Sequence, residues 1–201
     1  MKPIEKSLRV YQEKISNVME ELLNMLSYIY DGFIKHKKSY LQEAEKLGKK
    51  IHQFEKDFTE EIIKEGDKDA IRLLISIAGH IERTGDCYEN VIKTVHTKIS
   101  EGTLFSDKAV QELNFLFNSS KDLIRNVKDI VLTLNPVLIE HSINLGNKIN
   151  SMADEFATQH EERLVTGICH PKHSSMYLDM LDNLRMGVWH LKEIVKKLQN
   201  Y

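Results

Sequence analysis

At 201 residues and 23.4 kDa, the chain is long enough for one sizeable core or two small ones, since domains usually run about 100 to 150 residues. Only 9 Gly and 3 Pro occur, about half of the roughly 12% of average usage. That excludes the many tight turns of a sandwich or barrel and leaves long helices with few loops. Lys+Arg 28 against Asp+Glu 30 gives −2, and with a pI near 6.5 the chain lacks the basic excess of a nucleic-acid binder.

With 41% hydrophobic and 29% charged residues and mean hydropathy −0.38, the composition is globular rather than disordered. No apolar run approaches the ~18 residues of a membrane span. The start, Met1-Lys2-Pro3-Ile4-Glu5, lacks the apolar stretch of a signal peptide. Cys87 and Cys169 form no CxxC and suit a reducing cytoplasm.

Apolar residues recur three and four apart throughout, and the breakers predict six helices of about 25 to 35 residues. Helix one runs from about Pro3 to His36. Helix two opens at Ser39, where Ser39-Tyr40-Leu41-Gln42 reads as a capping box, and ends near Gly66. Asp67 to Asp69 cap helix three, which runs to Gly102. Helix four spans Ser106 to Asn135; Asn135 and Pro136 cap helix five, which ends near Gly167. Helix six follows His173-Ser174-Ser175 and runs to the C-terminus, with Pro171 stopping helix five.

Two stretches resemble each other. Leu47 to Phe58 in helix two aligns with Leu145 to Phe156 in helix five, with five of 12 positions identical, at an offset of 98. Arg83-Thr84-Gly85 aligns with Arg185-Met186-Gly187 at an offset of 102. Similar offsets in the same order predict a duplication of three helices, 1–102 and 103–201, joined in the loop Glu101 to Phe105. Gly85 and Gly187 lie inside helices, where glycine costs about 1 kcal/mol relative to alanine; a close helix crossing is the expected compensation, with Gly48 and Gly146 on the neighbouring helix.

Glu82 and Asp86 are four apart on helix three and project from one face. Two such carboxylates bind a divalent or iron- or zinc-type ion when another helix adds donors, and His52 and His80 are the nearest candidates. Glu89 either continues this stripe or marks where it runs into solvent. At the offsets above, the counterparts of Glu82, Asp86, His52 and His80 are Leu184, Val188, Asn150 and Asp182, so no equivalent second site is expected. Cys169-His170-Pro171-Lys172-His173 holds three metal donors, but without a second pair it reads as a loop. No Glu has a His three residues later, as a ferritin-like centre requires, and P-loop, GxGxxG, HExxH and nucleophile motifs are missing. The lysine-rich stretches at 35–38 and 192–197 read as solvated faces.

Six helices in two repeats, with Ile81-Glu82-Arg83-Thr84-Gly85-Asp86 in the third, resemble the PhoU family, whose signature there is close to Asp-Leu-Glu-Arg-Ile-Gly-Asp. His160-Glu161-Glu162-Arg163-Leu164, Gly167 and His173-Ser174-Ser175-Met176-Tyr177-Leu178-Asp179 through Arg185 are similar to the PhoU-like domain of bacterial sodium/phosphate cotransporters. The resemblance covers most of the chain. It implies an all-α fold of two tandem three-helix bundles. It also implies a non-enzymatic cytoplasmic regulatory adaptor, peripheral at the inner membrane, that contacts a phosphate transporter or cotransporter membrane domain and a sensor histidine kinase. Metal clusters in that family use carboxylates matching Glu82 and Asp86; His80 and His52 stand where the family places Asp. The alternatives are a carboxylate metal-binding bundle, storage protein or enzyme, centred on Glu82 and Asp86, and a bundle that acts as a homodimer.

Overall fold

The computed structural model describes residues 3–64, 67–169 and 171–200. Six helices follow one another: α1 (Pro3–Lys35), α2 (Lys38–Ile62), α3 (Lys68–Ser100), α4 (Asp107–Thr133), α5 (Pro136–Val165) and α6 (Pro171–Gln199). No strand occurs among the described residues. The caps explain most boundaries. The Asp67 side chain accepts from the Asp69 and Ala70 amides, Ser106 from Ala109, and Asn135 from Val137 and Leu138 ahead of Pro136, each satisfying orphan donors of a first turn. Gly102 and Gly167 take left-handed φ of +64° and +73° just past the ends of α3 and α5, where glycine is unstrained.

Three expected ends differ. The capping box at Ser39 does not form: α2 begins one residue earlier, behind Lys37, which offers no side-chain cap, because a left-handed His36 (φ 55°) already turns the chain. Pro171 does not stop α5; it opens α6, five residues ahead of the expected start, since proline's missing N–H costs nothing in a first turn. The end of helix two at Gly66, and His170 in the Cys169–His173 loop, lie outside the described residues.

The helices run up and down. α1, α3, α6 and α4 pack in a closed ring of four; α2 covers the groove between α1 and α3, and α5 that between α4 and α6. One continuous core fills the ring, including Ile15, Leu22, Ile29, Ile77, Tyr88, Leu116, Ile124, Leu184 and Leu191. Fully burying a side chain of this size contributes about 1.5 to 3 kcal/mol, which fixes which face of each amphipathic helix turns inward.

Burial recurs between the halves. The buried positions Tyr11, Ile15, Met19, Leu26 and Ile29 of α1 fall on buried Ala109, Leu113, Phe117, Ile124 and Val127 of α4, an offset of 98; Leu41, Ile51, Phe58 and Ile62 of α2 fall on buried Ile139, Ile149, Phe156 and His160. For α3 and α6 the burial matches at 103: Leu74, Ile77, Ile81, Val91 and Val95 fall on Tyr177, Met180, Leu184, Ile194 and Leu198. The offset of 102 drawn from Arg-x-Gly is therefore one residue out of register. Gly85 and Gly187 are not counterparts: a Cβ on Gly85 would meet Ile51 of α2 at 3.2 Å, whereas one on Gly187 would meet Tyr88 of α3 at 2.9 Å. Each glycine does permit a close helix crossing, but a different one.

Candidate metal centre

The crossing at Gly85 sets α2 against α3 and brings His52 over the acidic face of α3. Glu82, Asp86 and Glu89, at positions i, i+4 and i+7, share that face. His52 Nε2 stands 3.2 Å from Glu89 Oε1 and 3.7 Å from Asp86 Oδ1, while Nδ1 stands 3.5 Å from Glu82 Oε1. One donor atom each from His52, Asp86 and Glu89 lie within 4.8 Å of one another, the one such gathering of three His, Cys, Asp or Glu among the described residues. Gly48, one turn before His52, makes this possible: a Cβ there would sit 2.5 Å from Glu89 Oε1, so only glycine lets the carboxylate lie across α2.

The site is half-buried. Burial disfavours the charged His52 ring, but the carboxylates of Glu89, Glu82 and Asp86 outweigh it and hold its pKa above the ordinary value. When protonated, the His52 ring places positive charge among these acids. One imidazole nitrogen and several carboxylate oxygens form a donor set suited to a borderline divalent ion such as zinc, iron(II) or manganese, so the residues present fit one ion.

Of the four residues expected to hold metal, the structure gathers His52, Glu82 and Asp86. His80 lies elsewhere: it points into the α3–α6 crossing, its Nδ1 3.1 Å from Nδ1 of His190 and its ring edge-on to Trp189. Burial first, then His190, Lys197 and Arg83, push its pKa down to about 4, so the imidazole is neutral at pH 7. Glu89 joins the site in its stead. Its signal was present in the sequence, three residues after Asp86 on the same face, but the glycine that admits it sits on another helix.

In the second half the true register changes the comparison. The counterparts of Glu82, Asp86 and Glu89 are Arg185, Trp189 and Lys192, not Leu184 and Val188, which stand for Ile81 and Gly85. Lys192 packs its stem over Gly146, as Glu89 lies over Gly48, and donates to Asn147 Oδ1 at 2.9 Å. Arg185 reaches Asp154 at 3.3 Å and Asp182 at 3.4 Å. Cations thus stand in place of Glu82 and Glu89 and Trp189 in place of Asp86, and among the described residues no three ligand groups gather there.

Residues 15–95 match the family model for the PhoU domain. The fold is shared with the solved structures of the phosphate transport system regulatory protein PhoU from Streptococcus pneumoniae and of PhoU from Pseudomonas aeruginosa, each with a TM-score of 0.83 at 12% identity over 97% of this chain and 94% and 95% of theirs. No curated protein matches the chain.

Proposed function

We propose that this chain, whose residues 15–95 match the PhoU domain model, is a member of the PhoU family and a regulator of phosphate transport rather than an enzyme. The observation that carries this reading is the whole-chain likeness to two PhoU folds joined to the family domain in the first half. In this reading the protein acts by contact, at the cytoplasmic face of a phosphate transporter or of a sodium/phosphate cotransporter membrane domain, with a sensor histidine kinase as a second partner. No helix among the described residues is long and apolar enough to cross a membrane. The division into repeats 1–102 and 103–201 is part of the proposal, supported by the burial that recurs at offsets of 98 and 103. Affinity purification of the tagged chain from membranes, followed by identification of what it carries, tests the contact: a transporter subunit or kinase is expected, and recovery of a second copy alone would overturn the adaptor reading.

The role proposed for the metal centre is structural. His52, Asp86 and Glu89 would hold one ion per chain, with Glu82 against the far side of the His52 ring. A bound divalent ion supplies fixed positive charge that ties α2 to α3. What the chain itself contributes is Gly48, which clears the path of Glu89, and the Gly85 crossing, which sets the spacing. Elemental analysis of protein purified without chelator should give about one equivalent of a transition metal, lost in Glu89→Gln and in His52→Ala. Folded, metal-free wild-type protein would remove the metal centre while leaving the regulator reading intact.

A further inference from the structure

At the end of the bundle where α3 turns into α4 and α5 into α6, a cavity of about 210 Å³ opens among Ala109, His160, Ser174, Tyr177, Phe105 and Ile168. The offsets of 98 and 103 show how the space arises. Ala109 stands where the first repeat has Tyr11, a buried ring set edge-on to Phe58 at 5.3 Å between centroids. A tyrosine side chain is thereby missing from the second repeat, and the space remains.

The lining has changed in the same direction. His160, 3% exposed, replaces Ile62; Ser174 replaces Ile71; Tyr177 replaces Leu74. His160 Nε2 lies 2.8 Å from Ser174 Oγ, and its ring lies tilted by 34° against Tyr177 with centroids 4.5 Å apart. The Tyr177 hydroxyl donates to Glu112 Oε2 at 2.6 Å, and Arg163 clamps the same carboxylate through both terminal nitrogens at 2.9 and 2.8 Å. Glu112 itself replaces Lys14. The aromatic wall is thus fixed in place by a buried ion pair.

Each exchange opposes stability by itself. An unfilled cavity forfeits packing, and placing imidazole and hydroxyl groups where isoleucine and leucine stood loses hydration. Four such changes converging on one cavity, in a repeat that otherwise keeps its core pattern, are the mark of a built site. Its mouth is apolar, with Leu104 73% and Ile168 72% exposed, so an apolar body can enter without losing hydration of its own.

We infer that this cavity binds a small aromatic molecule bearing one hydrogen-bonding group on its ring. The missing Tyr11 counterpart sets the shape; Phe105 and Tyr177 offer aromatic surface; the Ser174 hydroxyl, held by His160, is the polar contact. Dry cavities of comparable size admit benzene, and a hydroxyl on the guest adds a bond that benzene cannot make. The site is separate from the metal centre and independent of the regulator reading.

Phenol is the probe. Titrated into the isotope-labelled full-length chain, it should shift the His160 and Tyr177 ring resonances saturably and raise the melting temperature, with benzene binding more weakly. Ala109→Tyr restores the first repeat's own filling; it should melt at least as high as wild type and show no phenol response. Wild-type resonances that move linearly without saturation, or not at all, overturn the inference, and so does a folded Ala109→Tyr that binds phenol like wild type. Should that variant fail to fold, the wild-type titration decides alone.

Discussion

A methyl group added at Gly48 would lie 2.5 Å from a Glu89 carboxylate oxygen, so Gly48→Ala is expected to swing that carboxylate away from His52 and weaken metal binding by about tenfold or more, the usual loss when a group orienting a ligand is removed. Competition with a metal indicator dye measures it. Tyr88 makes the opposite case. It is fully buried, and its hydroxyl has no hydrogen-bond partner, so Tyr88→Phe removes an unsatisfied group and should stabilise the fold by about 1 kcal/mol. Lys98 is buried to 2% exposure between Phe33 and Phe105, with His36 Nε2 at 2.8 Å as its hydrogen-bond partner. Burial lowers its pKa from 10.5 to about 8. Between those values the unfolded chain binds more protons than the folded one, so stability should rise as pH climbs from about 8 to 10.5. Lys98→Met should raise the melting temperature at pH 7 and flatten that rise; thermal melts across the range check both.

Among the helices, the two interior glycines separate crossings that the sequence alone merges. Gly85→Leu would press on Ile51 of α2, and Gly187→Leu on the ring of Tyr88 across the α3–α6 seam. Each is expected to cost about 1 to 3 kcal/mol, a fall of several degrees in melting temperature for a chain of this length; an unchanged melt would place that glycine away from the contact. Removing Glu112 by Glu112→Ala leaves Arg163 and the Tyr177 hydroxyl without their shared acceptor, and about 3 to 5 kcal/mol should be lost, as when one partner of a buried pair is deleted. Element existence and length were legible because apolar periodicity and the Asp67, Ser106 and Asn135 caps act locally. The start of α2 was not: Ser39 had the right chemistry, but a left-handed His36 set the turn three residues upstream, and φ leaves no trace in composition.

For the molecule as a whole, six helices and their order could be read from spacing, as could the placing of His52 beside Glu82 and Asp86. What escaped was everything that depends on register across helices. Arg-x-Gly, three residues long, aligned the third and sixth helices one position out, a slip of about 100° on a helix that turned Arg185 and Lys192, the true counterparts of two acids, into an apparent loss of charge. Packing between helices, which spacing along one helix does not show, turns His80 into the α3–α6 seam against His190, and the exchange of Tyr11 for Ala109 at the offset of 98 opens space only where α4 meets its neighbours. With the register corrected, the halves share a core and diverge at two places, a surface site that is acidic in one and basic in the other, and a packed ring that has become a cavity. Both divergences suit one chain that keeps a fixed scaffold and varies what it meets. The central claim, regulation of phosphate transport, is tested most directly by phosphate uptake in phosphate-replete cells lacking this gene, with and without the chain restored. Altered uptake in the deletion and its return to normal on restoration are predicted; identical uptake in all three strains would contradict the account.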